Sequence, residues 1–452
     1  MLKIRHYDCP EISYMVKVLF NDYLGLEYQV EFHENASTEI ILENGRSLVF
    51  PDSFFSRFNY STSFINKKNI PEKISWTSNE FTEENRIPII FGTDKVVVEE
   101  SRIVCNVDVL ASSFFMLSRW EEAAIAQTDV HDRFIADNAL AVKEGFLEKP
   151  VVNQYLDFIW NMLHSLGINQ LRNQRSFKIE VSHDVDVPFM LLLVPCRKVI
   201  RNIIVDMVKR RSLLSVIRNM IKVILVRTGN IKKDPFYTFD EIMDISEKNE
   251  MKSTFFFLAG GTSRKHDTGY DIAGGTIRAL MSEISERGHN IGLHGSYNSF
   301  NNGEMIREEM EKLKTSMKIE NIPNKNIGSR QHFLRWKTSD TFQHLENAGI
   351  IYDTSLVYAD KPGFRAGTCY PFHVFNVQTR KMLNLIERPL IVMDCSLTEK
   401  RYLNLNNEKA LKKALELKYE CKRYGGVFAL LWHNTQFANE NSCNLYKEIL
   451  KG

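Results

Sequence analysis

What this sequence lacks narrows its function first. It carries no appreciable net charge: 58 Lys and Arg stand against 56 Asp and Glu, for +2. A chain so balanced is no general nucleic-acid binder, and any basic character must be local. No uncharged apolar run reaches bilayer-spanning length. The opening residues, MLKIRHYDCPEIS, have no apolar core and no small-residue cleavage site, which speaks against a secretory signal. The 7 cysteines (Cys9, Cys105, Cys196, Cys369, Cys395, Cys421 and Cys443) are scattered, and none forms a C-x-x-C pair. That argues against a disulfide framework or a structural zinc knot and for a reducing compartment, so a cytoplasmic location is expected. Repeats and low-complexity tracts are absent. What is present is ordinary: 44% apolar and 25% charged residues over 452 positions suit a soluble chain of two to three domains.

The pattern changes along the chain. Residues 1–172 read as a smaller mixed α/β domain. VEFHENASTEIILEN suggests strands around a polar turn, while VDVLASSFFMLSRWEEA and VVNQYLDFIWNMLHSLG have helical apolar spacing, the second closed by Gly167. His131, Asp132 and Arg133 form a charged cluster that a solvated loop explains. From 173 to 452, strands alternate with helices. FKIEVSHDVD, STFFFLAGG, HNIGLHGS, NIGSRQHF, IIYDTSL, NLIERPLIVMD and GGVFALLWHN are strand-like; IRALMSEISERG, GEMIREEMEKLKTSMKIEN and NEKALKKALELKYECKRYG are helical. Such alternation predicts an α/β fold with a parallel sheet or barrel, whose active residues gather at the carboxyl ends of the strands. One stretch, at about 189–230, breaks the rhythm. Between Arg197 and Arg227 it holds 9 Lys or Arg and one acid, Asp206, among apolar residues at helical spacing. A helical insertion with its basic face in water accounts for it; the same pattern also suits contact with an anionic membrane surface through 189–227.

Several residues at strand ends can do chemistry. Asp184 and Asp186, two apart, share a strand face, and adjacent carboxylates repel unless a cation or proton intervenes. One holding a metal and the other acting as base would resolve that conflict, although a turn or capping role is the plainer one for an isolated D-x-D. His294, in GHNIGLHGSYNS, is a suitable imidazole ligand; alone, it would more simply be structural. Arg330, in GSRQHFLRW, could pair with Asp184 and keep it ionised. His433 ends the apolar run GVFALLWHN, where it could protonate a leaving amine. Glu387 and Asp394 flank the preceding strand, and either could orient His433 or serve in a structural ion pair.

In this order the motifs resemble the polysaccharide deacetylases, the NodB-homology or carbohydrate esterase family four, over about residues 177–440. The resemblance implies a distorted (β/α) barrel and a carbon–nitrogen hydrolase acting on linear, non-peptide amides. SHDVD matches the family's first motif, implying Asp184 as base and Asp186 as metal ligand. LHGSYN matches the second, with His294 as ligand and Asn298 where the family has a second histidine; an amide oxygen is the poorer zinc ligand. SRQHF matches the third through Arg330. There His332 stands in place of a proline and could supply the missing imidazole. YDTSL matches the fourth loosely, with Asp353 available, and Leu431-Trp432-His433 matches the fifth, implying His433 as general acid. The third ligand stays open among Asn298, His332 and His289. LSRWEE, KEGFLEKP and GFRAGTCYPFHVF are similar to a bacterial subgroup with an extra N-terminal domain of uncharacterised function.

The resemblance implies a divalent metal, zinc by preference, and an N-acetylated sugar or glycan substrate, lipid-linked if the basic insertion meets the membrane. With a net charge of only +2, no nucleic-acid partner is expected. Three other readings compete: hydrolysis of a different amide, a pseudoenzyme that binds a glycan or a partner after losing its metal through Asn298, and a membrane-surface scaffold built around 189–227.

Overall fold

The computed structural model describes residues 1–58, 61–193 and 213–452. Within the first 107 residues, eight strands form: β1 (Leu2–His6), β2 (Tyr28–Phe32), β3 (Ser37–Ile41), β4 (Ser47–Pro51), β5 (Ser75–Thr77), β6 (Ile87–Ile89), β7 (Gly92–Val98) and β8 (Arg102–Val107). Six of them make one mixed sheet, in the order β2-β1-β3-β4-β8-β7, and β5 pairs with β6. Helices Val109–Ser118 and Val151–Ser165 follow. The first stops where the sequence pattern runs on: Arg119 takes a left-handed backbone (φ 53°), and a short second helix, Trp120–Ala124, leaves at a new angle.

The second sheet is built from β9 (Lys178–Val185), β10 (Ser253–Leu258), β11 (Asn290–Gly295), β12 (Gly328–Gln331), β13 (Tyr352–Asp353), β14 (Phe372–Asn376), β15 (Lys381–Glu387), β16 (Val392–Met393) and β17 (Val427–Leu431). Its order is β14-β15-β13-β12-β11-β10-β9-β17-β16. All neighbours run parallel except the β14–β15 hairpin at one edge. Apolar runs such as STFFFL in β10 lack alternation because both faces are buried: on the concave side of the curl the Arg330 guanidinium lies 4.7 Å over the Phe256 ring. NLIERPLIVMD is not one strand: it divides into β15 and β16, with Pro389 between them.

The sheet curls strongly but does not close, since β14 and β16 remain its two edges. β9 and β12 are separated by β10 and β11, which on a flat sheet would set them roughly 14 Å apart. Yet the Arg330 guanidinium on β12 reaches Asp184 on β9 at 2.8 Å, and His332, just past β12, comes within 3.5 Å of Asp186. Missing side chains help the sheet bend. At Gly328 a Cβ would lie 2.1 Å from the Tyr352 ring, so the neighbouring strand's tyrosine fills that position.

One continuous apolar core joins the two sheets. Tyr14, for instance, packs at a tilt against Phe375 of β14, with ring centroids 4.9 Å apart, and meets Phe114 edge-on at 6.2 Å. In the basic stretch, Met190–Leu193 and Leu213–Arg227 are helical, while its centre, 194–212, lies outside the described residues. Met220, Ile221, Ile224 and Leu225 expose apolar side chains on the second of these helices. No described helix is long and apolar enough to cross a membrane.

Candidate metal centre

Four strands deliver the site from their carboxyl ends. β9 ends with Asp184 and Val185 and releases Asp186; β11 carries His294; β12 runs out into His332; β17 runs out into His433. These five polar residues line one cavity of about 180 Å³.

Asp186, His294 and His332 bring one ligand atom each to within 4.8 Å of one another. Nε2 of His294 lies 3.2 Å from Asp186 Oδ1, and Nε2 of His332 lies 3.5 Å from the same oxygen. Each ring is aimed by its other nitrogen. Nδ1 of His294 is 2.9 Å from the Arg330 carbonyl, and Nδ1 of His332 is 2.9 Å from Asp267 Oδ1. Both Nε2 atoms thus face inward, and an acceptor on the far nitrogen is the usual means of setting the tautomer of a metal-binding histidine. Asp267 is itself fixed by the backbone N–H groups of Ser263 and Tyr297. Asp186 Oδ1 and His294 Nε2 are buried without a hydrogen-bond partner. Two imidazoles and a carboxylate that point unspent atoms at a common centre, with room beside them, fit a catalytic divalent ion of the zinc type.

Charge supports the same fit. Burial pushes the Asp186 carboxyl up, but the facing His332 and His294 imidazoles outweigh it and hold the group well below the usual carboxylate range. Burial draws His332 down, and Asp186 and Asp267 overcome it, raising the imidazole to about 9. In the absence of a cation, the cluster keeps a proton where a metal ion could stand.

Asp184 sits beside this group in the same cavity. Its Oδ1 accepts from Arg330 Nη1 at 2.8 Å, and its Oδ2 faces His294 Nε2 at 3.7 Å. Burial raises this carboxyl too, but the guanidinium wins and keeps it ionised. Each Arg330 nitrogen has a partner: besides Nη1 on Asp184, Nε and Nη2 donate to the carbonyl and hydroxyl of Thr354, and Nη2 also donates to Ser182. Past the end of β17, the strand next to β9, Nδ1 of His433 lies 2.8 Å from Asp394 Oδ1, and the His433 backbone N–H donates to Asp394 Oδ2 at 2.7 Å. Its Nε2 faces the cavity, 3.7 Å from Asp186 Oδ2. Burial lowers the His433 imidazole, but the Asp394 carboxylate reverses this and holds it well above the ordinary histidine value.

The other sequence candidates lie elsewhere. Asn298 does not join the group: its Nδ2 donates to the Thr262 carbonyl and its Oδ1 accepts from Arg335 at 3.3 Å. His289, at the start of β11, accepts from the Ser253 N–H and neighbours Glu247. Glu387 is not near His433; it pairs in register with Asp353 deep in the sheet. His131, Asp132 and Arg133 form a loop that is pinned to the side of the second sheet although Asp132 stays exposed. Arg335 donates to the His131 carbonyl and to Asp132, and Arg133 lines the cavity. Asp267 was not among the candidates: it sits in the GGTSRKHDTGY loop, where no periodicity marks it.

Residues 1–167 match the profile of a family of unknown function, DUF7033. No curated protein matches the chain. Among solved structures, a candidate polysaccharide deacetylase from Mycobacterium smegmatis is similar at 14% identity and a TM-score of 0.39, over 62% of this chain and 84% of that one. Puue allantoinase is similar at 12% identity and a TM-score of 0.34, over 49% and 69%. BA3943 of Bacillus anthracis, a carbohydrate esterase family four pseudoenzyme, is similar at 10% identity and a TM-score of 0.31, over 61% of each chain. Scores this low carry no weight for the chemistry, which stands on the side chains.

Proposed function

We propose that this protein is a metal-dependent hydrolase that removes N-acetyl groups from an amino sugar or glycan in cell-surface polysaccharide biosynthesis. The observation that carries the reading is the convergence of Asp186, His294 and His332 on one point, with Asp184 and His433 lining the same cavity. Asp186, His294 and His332 would hold the ion, zinc by preference. When bound there, it would polarise the amide carbonyl and acidify a water.

The protein's own groups do the rest. Oδ1 of Asp184 is committed to Arg330, so Oδ2 takes the water's proton. Arg330 keeps that carboxylate ionised without touching substrate. His433, charged through Asp394, donates from Nε2 to the departing sugar amine. Acetate and a free amino sugar result.

In this reading residues 173–452 form the hydrolase unit and residues 1–172 a domain beside it. A lipid-linked glycan precursor at the cytoplasmic membrane face is the favoured form of substrate, because the helix Leu213–Arg227 exposes apolar side chains in a strongly basic stretch. Flotation with anionic liposomes tests that point: recovery with the vesicles supports it, and recovery in the soluble fraction refutes it.

Elemental analysis of the purified protein, followed by acetate release from N-acetylated glycans, tests the reading as a whole. Near-stoichiometric zinc with acetate release is expected. One observation favours a second reading, a glycan-binding protein without turnover: Asn298 stands at the second-motif position and is turned away from the cluster. No bound metal even after reconstitution, and no hydrolysis of any amide, cyclic ones included, would select it.

A further inference from the structure

One part of the cavity wall comes from far away in the chain. The loop 128–134 belongs to the N-terminal region, and a bridge between Thr128 and Phe134 closes it. It is pinned to the segments that carry the candidate ligands. Arg335 Nε donates to the His131 carbonyl at 2.8 Å and Nη2 to Asp132 at 2.6 Å. Nδ1 of His131 is 3.0 Å from the hydroxyl of Tyr297, just past His294. The His131 ring lies 4.7 Å from that of Phe333, next to His332, and 5.4 Å from that of His266, next to Asp267.

The turn after His332 is unusual. Phe333 and Leu334 have φ of 61° and 56°, in the left-handed region that residues with a Cβ avoid. Such a turn persists only where its surroundings hold it. Arg133 provides one such hold, donating from Nη1 to the Phe333 carbonyl at 3.1 Å. Its other donors are spent as well: Nε and Nη2 on Asp129 at 2.8 and 2.6 Å, and Nη1 also on the Tyr402 hydroxyl at 3.4 Å. A guanidinium so fully engaged braces its neighbours and has little left for a substrate.

We propose that Arg133 is a positioning residue of the metal centre: from the N-terminal region it holds the Phe333–Leu334 turn and so aims His332 at Asp186 and His294. The proposal rests on the metal-site reading above. It gives residues 1–167 a part in the chemistry of a site whose ligands all lie beyond residue 180, with outer-shell support of the kind metal centres depend on.

The test is zinc affinity of the full chain, by competition with a chromophoric chelator, together with the visible absorption of the cobalt-substituted protein. Arg133→Ala should weaken zinc binding about tenfold and alter the cobalt spectrum. Arg133→Lys should fall between Ala and wild type, since an ammonium can reach Asp129 but cannot span all three acceptors. Should Arg133→Ala fail to fold, Asp129→Asn keeps the arginine and loosens its clamp, and should weaken zinc binding in the same direction by less. Unchanged affinity and cobalt spectrum in folded variants, with only a lower unfolding temperature, would make Arg133 a structural brace and overturn the proposal. Wild-type protein that binds no zinc would instead remove the metal-site reading first, and this inference with it.

Discussion

Two buried clusters of charge in this protein are built on opposite plans. In the first, Arg119, Glu121, Glu122 and Arg365 meet out of solvent and no side-chain nitrogen or oxygen is left without a partner. Arg119 donates to both glutamates, to Tyr358 and to the Met116 carbonyl. Arg365 donates to Glu122 and to the Val357 carbonyl, and Glu121 accepts the Leu140 N–H. In the second, Asp186 Oδ1 and His294 Nε2 lie 3.2 Å apart, both buried and both without a hydrogen-bond partner. Both clusters bring opposite charges together inside the fold, although Asp186 is 26% exposed. What separates a strut from a site is whether the last atoms have been satisfied inside the fold.

Breaking the second cluster should have the largest effect. His294→Ala or Asp186→Ala is expected to abolish measurable metal binding, with zinc affinity down by well over a hundredfold on the scale of about 10–100-fold for outer-shell partners alone, as chelator competition would read. Zinc retained at wild-type affinity in either variant would place the ion elsewhere. Breaking the first cluster should act on stability instead. Glu122→Ala strands two buried guanidiniums and should cost about 3–5 kcal/mol in urea unfolding, while the folded fraction keeps its metal affinity. A mild loss would mean that the cluster is hydrated and is no strut.

Two smaller effects sharpen the contrast. Asp394→Asn leaves the metal ligands intact but removes the carboxylate that holds the His433 proton. Turnover should fall by about a hundredfold or more, with zinc affinity unchanged. The alkaline limb of the rate profile should move to lower pH, because the imidazole then loses its proton sooner; an unmoved limb would take the acid role from His433. The smallest effect is expected at Glu387, which has an unsatisfied Oε2 but belongs to no group of three potential metal ligands among the described residues. Burial, then the adjacent Asp353 charge, pushes its carboxyl well above the usual range. The folded state therefore keeps a proton that the unfolded chain releases above about pH 4.3, so stability is lost as pH rises. Glu387→Gln should remove that slope, gaining stability over wild type as pH increases in thermal unfolding; parallel curves would contradict it.

Parts of this were legible in the sequence. Apolar runs ending in Asp or His marked the parallel strands, and the rule that such strands present chemistry at their carboxyl ends singled out Asp184, Asp186, His294 and His433. The choice among Asn298, His289 and His332 was not legible, because the aim of His332 depends on a left-handed turn at Phe333 and Leu334 that no apolar periodicity encodes. Nor was the role of the 128–134 loop. Its charges read as solvated because their partners, Arg335 and Phe333, lie some two hundred residues away. LSRWEE and GFRAG stood out as motifs, yet only the fold shows that Glu122 and Arg365 meet. Strand alternation also pointed to a barrel, whereas the curled sheet stays open between β14 and β16.

The central claim is that Asp186, His294 and His332 hold one divalent ion. Anomalous diffraction at the zinc absorption edge, from crystals grown with zinc, tests it most directly. The account predicts one strong peak bonded to a carboxylate oxygen of Asp186 and to Nε2 of both histidines. A well-ordered site without that peak, or a peak coordinated by other residues, would contradict it.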